Sequence, residues 1–402
     1  MSIPAFLDRD DYLQNPVMRR FLKKHKIELA NNRADYINAI EKFSSQNEHN
    51  KSETESFLLT AAKEGSKEIC FRKIYHFEDW HKDPALVEAK IHEAFPNCPK
   101  ESILSYHNTG DQTLIDYHIT TDEQGYVTKL DFTFSSLFLY GTVGELGDVT
   151  VFPVFVEVYI GSGFIVSRAK AKSTLFKYDA ENHFLDNASK INTTDYAVQI
   201  IDNIVSIFDF EVITKSKIVK NEIDQMLYSL YDKYSFTPKD VVEQVESQNS
   251  VTTAFINDIF NNLSLDVRNK EAAILDAKIL VEKFISINGD NEDIFKKDRP
   301  AYLIKVSTDN ETELTKIDTA SNKLVPLQCT EAFFDSKKSV VKSKQCKRLI
   351  LVFKRVDETY FGKNNPLMVQ LGTQKDHGYI KTLQYAEEAD IQNVLQAVFE
   401  NY

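Results

Sequence analysis

The chain is expected to fold as an α+β protein: an N-terminal helical hairpin module, a β-rich domain with antiparallel hairpins, a helical middle segment and a C-terminal α/β segment. Three observations predict this. Apolar residues recur at helical spacing over 1–65 and 193–288. Between 67 and 179 they alternate, or run in strand-length blocks separated by turn residues. After residue 300 strand-like blocks return, and one helical stripe closes the chain. At 402 residues the chain exceeds the usual single domain, so several cores are expected. The boundaries read as 1–65, 66–190, 191–290 and 300–402.

The first helix is expected over Asn15–Lys26, with Asn15 as N-cap, Pro16 at the first helical position and an apolar stripe of Val17, Phe21 and Leu22. A second follows over Arg33–Phe43, where Tyr36, Ile37, Ile40 and Phe43 repeat at 3.6 spacing. Ser44–Lys51 reads as a polar link. Ser52 and Glu55 then form a capping box for a helix ended by Gly65. In the β-rich part, Glu68–Tyr75 is strand-like and Asp83-Pro84 opens a helix to Phe95. Thr113–Thr120 and Tyr126–Phe134 flank the turn Asp122–Gly125. Val149–Ile160 and Phe164–Tyr178 form a longer hairpin closed by Gly161-Ser162-Gly163, its first arm apolar enough for a central strand.

Helical stripes follow: Tyr196 to Phe208; Ile223, Met226, Leu227 and Leu230; then Ile274, Leu275, Ile279, Leu280 and Phe284. Thr237-Pro238 starts a further helix, and Gly289–Arg299 reads as a linker. Strands are expected at Ala301–Ser307, Arg348–Val356, Leu367–Leu371 and Tyr379–Gln384, and a helix at Ala389–Glu400.

Composition narrows the class. Hydrophobic residues make up 42% and aromatics 11%, enough for packed interiors. The net charge of −12 argues against indiscriminate nucleic-acid binding, so any such contact must come from local patches. With 12 glycines, a fold built on glycine-rich phosphate loops is not expected. The wealth of Lys, Asn and Ile suggests an AT-rich bacterial or phage genome. Four cysteines, Cys70, Cys98, Cys329 and Cys346, fit a reducing compartment. With neither a signal peptide nor a membrane span in the sequence, a cytoplasmic protein is expected.

Arg19, Arg20, Lys23, Lys24 and Lys26 surround the stripe of the first helix. The pattern apolar-x-x-Phe21-Leu22-Lys23-Lys24-His25-x-Ile27, then Asn32-Arg33-x-x-Tyr36-Ile37-x-x-Ile40, resembles the SAP type of helix–extension–helix DNA-binding module over residues 15–43. Members of that family usually carry a glycine between the helices and a lysine-rich start to the second; this chain has His25-Lys26 and Asn31-Asn32-Arg33 there. The resemblance implies that Arg19, Arg20, Lys23, Lys24 and Arg33 touch phosphates, with the second helix adding its N-terminal dipole. The plainer alternative is a helical hairpin with a solvated basic face.

Arg168, Lys170 and Lys172 alternate along one expected strand and so project from one face, which predicts anion contact or exposure. Lys337, Lys338, Lys342, Lys344, Lys347 and Arg348 crowd what reads as a mobile loop. Cys70, His76, His81 and Cys98 lack the spacing of a zinc knuckle, so no metal is expected. There is no Gly-x-Ser-x-Gly and no phosphate-binding Gly-x-x-x-x-Gly-Lys-Ser/Thr loop.

The enzyme alternative is a Mg²⁺-dependent nuclease, with Asp148 or Asp131 and Glu157 as metal-binding acids and Lys170 orienting water. Glu157 is followed by Val158-Tyr159 and not by x-Lys, and it can instead pair with Arg168 across the hairpin. The expected function is that of a nucleic-acid-binding accessory protein, DNA favoured, acting with a protein partner or as a homo-oligomer. An anti-phage defence or mobile-element system is the setting such a composition suggests. A purely structural assembly subunit is the third possibility.

Overall fold

The computed structural model describes all residues except 1, 10–11, 29–31, 76–78, 173, 187, 289–291, 311–314, 321–323, 357–360 and 362–364; for 309–310 and 315–319 it describes the backbone alone. In chain order the elements are α1 (Ala5–Arg9), α2 (Asn15–Lys24), α3 (Arg33–Ser44), α4 (Glu48–Lys63), β1 (Glu68–Lys73), α5 (Pro84–Ala94), β2 (Thr113–Thr121), β3 (Val127–Tyr140), β4 (Asp148–Tyr159), β5 (Phe164–Ala169), β6 (Leu175–Lys177) and α6 (Thr193–Ile207). Then come α7 (Ser216–Tyr234), α8 (Lys239–Ser247), α9 (Asn249–Asn262), α10 (Lys270–Ile287), α11 (Glu292–Lys296), β7 (Ala301–Asn310), β8 (Thr315–Ala320), α12 (Glu331–Ser343), β9 (Arg348–Phe353), β10 (Leu367–Gln374), β11 (His377–Thr382) and α13 (Glu388–Phe399). The protein is α+β, as its periodicities predict.

Two compact units divide the chain differently from the four sequential segments read from the sequence. Unit 1 comprises Met1–Ser216, Val356–Gly362 and Asp376–Leu395; unit 2 comprises Lys217–Arg355, Lys363–Lys375 and Gln396–Tyr402.

In unit 1 the strands run antiparallel in the order β2-β3-β4-β5-β1-β11, and β6 pairs with the end of β3. Strand β4 is central and buried through most of its length, as its apolar run requires. Its side chains alternate between two helical layers. Val154, Val156 and Val158 pack with Val87 and Ile91 of α5 and Ile200, Ile201 and Ile204 of α6. Phe155 and Val151 pack on the opposite face with Met18, Leu22, Ile40 and Leu58 of the N-terminal helices. The β4–β5 turn needs its second glycine: Gly163 has φ +67, and a Cβ there would lie 2.7 Å from the Ile74 carbonyl oxygen.

In unit 2 the antiparallel order is β10-β9-β7-β8. Helix α7 buries Ile223, Met226, Leu227, Leu230, Tyr231 and Tyr234. Tyr231 meets Phe333 of α12 with ring centroids 6.3 Å apart, and Tyr234 meets Phe353 of β9 at 6.0 Å.

Several local expectations are corrected. Gln14, not Asn15, occupies the N-cap of α2, because the Asn15 side chain accepts from Arg33 instead. Helix α4 starts at Glu48, because the Asn47 side chain caps it by accepting from the Asn50 N–H at 2.8 Å. The arm expected to run to Tyr178 stops at Ala169, and the chain returns as β6 on β3; residue 173 lies outside the described residues. The lysine-rich stretch expected as a loop is largely helix α12. The linker contains α11 and ends on a buried Arg299 that donates to the Tyr234 carbonyl at 3.2 Å, while Gly289 lies outside the described residues. No helix among the described residues is long and apolar enough to cross a membrane.

Candidate nucleic-acid interface

Helix α2 buries Val17, Met18, Phe21 and Leu22 and leaves Arg19, Arg20, Lys23 and Lys24 exposed. Its end is closed by a Schellman-type pair: the Ile27 N–H donates to Leu22 O at 2.9 Å and the Lys26 N–H to Lys23 O at 3.1 Å. Lys26 takes the left-handed conformation, φ +56, that a glycine would take most easily. His25 sits between the Phe21 and Phe43 rings, with centroids 4.5 and 4.4 Å away. Burial pushes its imidazole pKa down, although Glu53 at 3.4 Å opposes this. Asn31 of the interhelical link lies outside the described residues.

The cations separate into stripes with different roles. Arg20 pairs with Glu387, and Lys24 lies 3.7 Å from Glu53. Both line a groove of about 260 Å³ between α2 and α4 that also holds Glu53 and Glu64, so that groove is charge-balanced. The Glu64 carboxyl there has a raised pKa, burial outweighing the bonds from the Glu388 N–H and the Tyr385 hydroxyl. Arg33 is fully engaged as a clamp, donating to Asp8 Oδ1 at 2.7 Å, Leu13 O at 2.7 Å and Asp8 O at 2.9 Å. Arg19 gives its Nε to the Tyr36 hydroxyl at 2.6 Å and stays exposed. Lys23, one turn on, and Lys26, just past the helix, are exposed and make no ion pair among the described residues. The outward basic stripe is therefore Arg19, Lys23 and Lys26.

The three cations expected on one strand face do not share one. Arg168 is 1% exposed, fully enclosed in β5, and Lys170 and Lys172 lie beyond the strand end. Lys170 places its ammonium 4.5 Å from the centroid of Tyr12, whose ring Lys67 also approaches at 4.4 Å. Lys172 lies 4.6 Å from the Tyr140 ring.

Arg168 belongs to a buried ion network. Positions 129 and 131 of β3, 157 and 159 of β4, and 168 of β5 fall on one face because strand side chains alternate; Asp131 stands opposite Glu157 and Lys129 opposite Tyr159. Arg168 approaches Glu157 at 2.5 Å in a charge contact too poorly aligned to be a directed hydrogen bond, and it donates to Glu388 of α13 at 2.6 Å. Lys129 reaches Glu157 at 2.6 Å and Asp131 at 2.8 Å. Burial disfavours the charge on Lys129, but Glu157 and Asp131 outweigh it and raise its pKa. Burial likewise opposes the Glu388 carboxylate, yet Arg168 holds its pKa below the ordinary value. Sequence reasoning proposed the Glu157–Arg168 pair but not Lys129 or Glu388. Lys129 sits one inward position from Asp131, a signal the sequence did carry; Glu388 is over two hundred residues away, and nothing in the sequence marked it.

These acids do not fit a Mg²⁺ site. Asp148 is nine residues from Glu157 on the same strand, roughly 30 Å at a strand's rise per residue, and Glu157 and Asp131 are already neutralised by Lys129 and Arg168. Among the described residues no three His, Cys, Asp or Glu side chains gather as a metal site. Cys70 is buried in β1, His81 lies in a short 3₁₀ turn, and His76 lies outside the described residues. All four cysteines are free. The basic cluster of unit 2 is largely paired internally: Lys337 with Glu282 at 3.0 Å, Lys338 with Asp276 at 3.2 Å and Lys347 with Asp224 at 2.6 Å.

The chain matches no family model, no curated protein and no solved structure. The likeness of residues 15–43 to SAP modules thus rests on those residues alone.

Proposed function

We propose that this is a cytoplasmic, non-catalytic nucleic-acid-binding protein that contacts the phosphate backbone, DNA favoured, through the Arg19–Lys23–Lys26 stripe of α2. The observation that carries this reading is the separation of the two stripes: the inner cations are paired with acids, while the outer ones face solvent. Such a stripe supplies affinity, not sequence reading. Reversing Lys23→Glu and Lys26→Glu should weaken duplex binding and make the slope of log K against log salt shallower by about two units, one per lost phosphate contact. The melting temperature should stay put, since neither side chain is buried. Equal affinity and slope in the double variant would sink the proposal. Charge reversal at Arg19 or Arg20 is a poorer test, because each also makes an internal contact.

A second reading, an assembly subunit, is favoured by α8–α10. Leu275, Leu280 and Phe284 of the third helical stripe are 54–60% exposed, and Val251 and Phe255 are exposed to 60% or more. Leu280 and Phe284 line a groove of about 400 Å³ beside Gln244 of α8. Leu280→Ser with Phe284→Ser should shift the sedimentation-derived mass of a self-associating chain toward monomer. A wild-type protein monomeric at high concentration, which captures no other protein by way of this groove, would remove that reading.

A further inference from the structure

We propose that the N-terminal end of α6 is a binding site for a phosphate group, free or carried by a small molecule of nucleotide size. An open cavity of about 560 Å³ lies there, lined among others by Lys172, Lys190, Asn192, Thr193, Thr194 and Glu68. That volume exceeds a bare phosphate and falls in the range of small-molecule sites. The two lysines provide positive charge, and Lys190 makes no ion pair among the described residues.

Helix α6 is fifteen residues long, so its first turn offers backbone donors and a favourable dipole to an anion. The Asn192 side chain takes the Thr194 and Asp195 N–H groups at 3.0 and 3.3 Å. The Thr193 N–H, by contrast, has no partner among the described residues.

The independent sign of a ligand is the pair of hydroxyls. Thr193 and Thr194 are 5% and 7% exposed, line the cavity, and have no hydrogen-bond partner for their side chains among the described residues. Both hydroxyl oxygens open onto the cavity and are not sealed in the interior, and together with a free helix N–H and two lysines they present the donor set that phosphate oxygens accept. The acids nearby do not cancel it. Glu68 is paired with Lys381 at 3.0 Å, and Asp195 lines no part of the cavity. Ala171 and Ile191 give the rest of the wall an apolar surface against which a non-phosphate moiety can lie.

The site is separate from the α2 stripe, and its test is separate too. Full-length protein is titrated calorimetrically with inorganic phosphate, adenosine monophosphate and adenosine. Adenosine monophosphate should bind, and adenosine should not. Thr193→Val with Thr194→Val, and independently Lys172→Ala with Lys190→Ala, should each lower that affinity by about tenfold, the scale of a lost charge-assisted hydrogen bond. Inorganic phosphate binding as tightly as the nucleotide, and lost in the same variants, assigns the site to the free anion. The Lys23→Glu, Lys26→Glu chain should keep its nucleotide affinity, so failure of one reading leaves the other standing. If the valine pair lowers the melting temperature, the lysine pair decides. Absence of binding to the wild type, equal binding of adenosine, or nucleotide affinity unchanged in the lysine pair overturns the proposal.

Discussion

Arg168→Met should destabilise unit 1 by about 3–5 kcal/mol, the cost of stranding a buried charge by removing its partner. The guanidinium is 1% exposed and lies against Glu157 at 2.5 Å and Glu388 at 2.6 Å. Its loss leaves Glu157, whose side chain is almost as buried, with Lys129 alone. Replacing both members, Glu157→Gln with Arg168→Met, should recover much of the loss, since apolar or neutral replacements of a whole buried pair are often tolerated. Thermal melts of Arg168→Met, Glu157→Gln and the double variant read this directly; a single Arg168→Met variant melting with the wild type would contradict the network.

The same network sets a pH dependence. Because Arg168 holds the Glu388 carboxyl below its ordinary value of 4.5, folding favours the ionised form. The stability it contributes is present above that value and is lost as pH falls through the lower folded value. In Arg168→Met this acid limb should flatten. The Glu157→Gln variant also tests the nuclease alternative: its melt should move, with no Mg²⁺-dependent cleavage to lose.

Gly378→Ala is the second substitution with a large expected effect. Gly378 of β11 stands directly opposite Phe71 of β1, whose ring lies across it. A Cβ on Gly378 would fall 2.1 Å from Phe71 Cζ. The Phe71 side chain, 1% exposed and edge-on to Phe164 at 6.3 Å, has no room to retreat. Overpacking of this kind costs about 1–3 kcal/mol or more. The diagnostic is coupling: in a Phe71→Leu background the added methyl should cost less, with an interaction energy of about 0.5–3 kcal/mol expected between touching residues. Additive losses in the four-member cycle would show that the clash is not the cause.

The sequence carried no trace of that pairing. Glycine 378 and Phe71 lie more than three hundred residues apart, and a glycine inside a strand pattern reads only as a weak position until its neighbour is known. Distance along the chain likewise hid Glu388 from Arg168 and Glu387 from Arg20. Sequence periodicity can place residues on a face; it cannot say which element arrives to cover that face.

Local physics, by contrast, was legible. The apolar run of β4 marked a central strand, Asp83-Pro84 marked a helix start that Asp83 does cap at 3.0 Å, and Asp122–Gly125 marked a turn, with Asp122 accepting from the Gln124 and Tyr126 N–H groups at 2.9 Å. Each of these depends on residues within a few positions of one another. The α10 stripe shows the limit, since Leu280 and Phe284 repeat as a core would and yet face solvent. The sequence by itself determined the α+β class, most helices and strands, and a basic α2. Only tertiary structure decided which of its cations are held by Glu387 and Glu53 and which remain outward, because a charge is neutralised by what folding brings within a few ångströms, and those partners come from other elements.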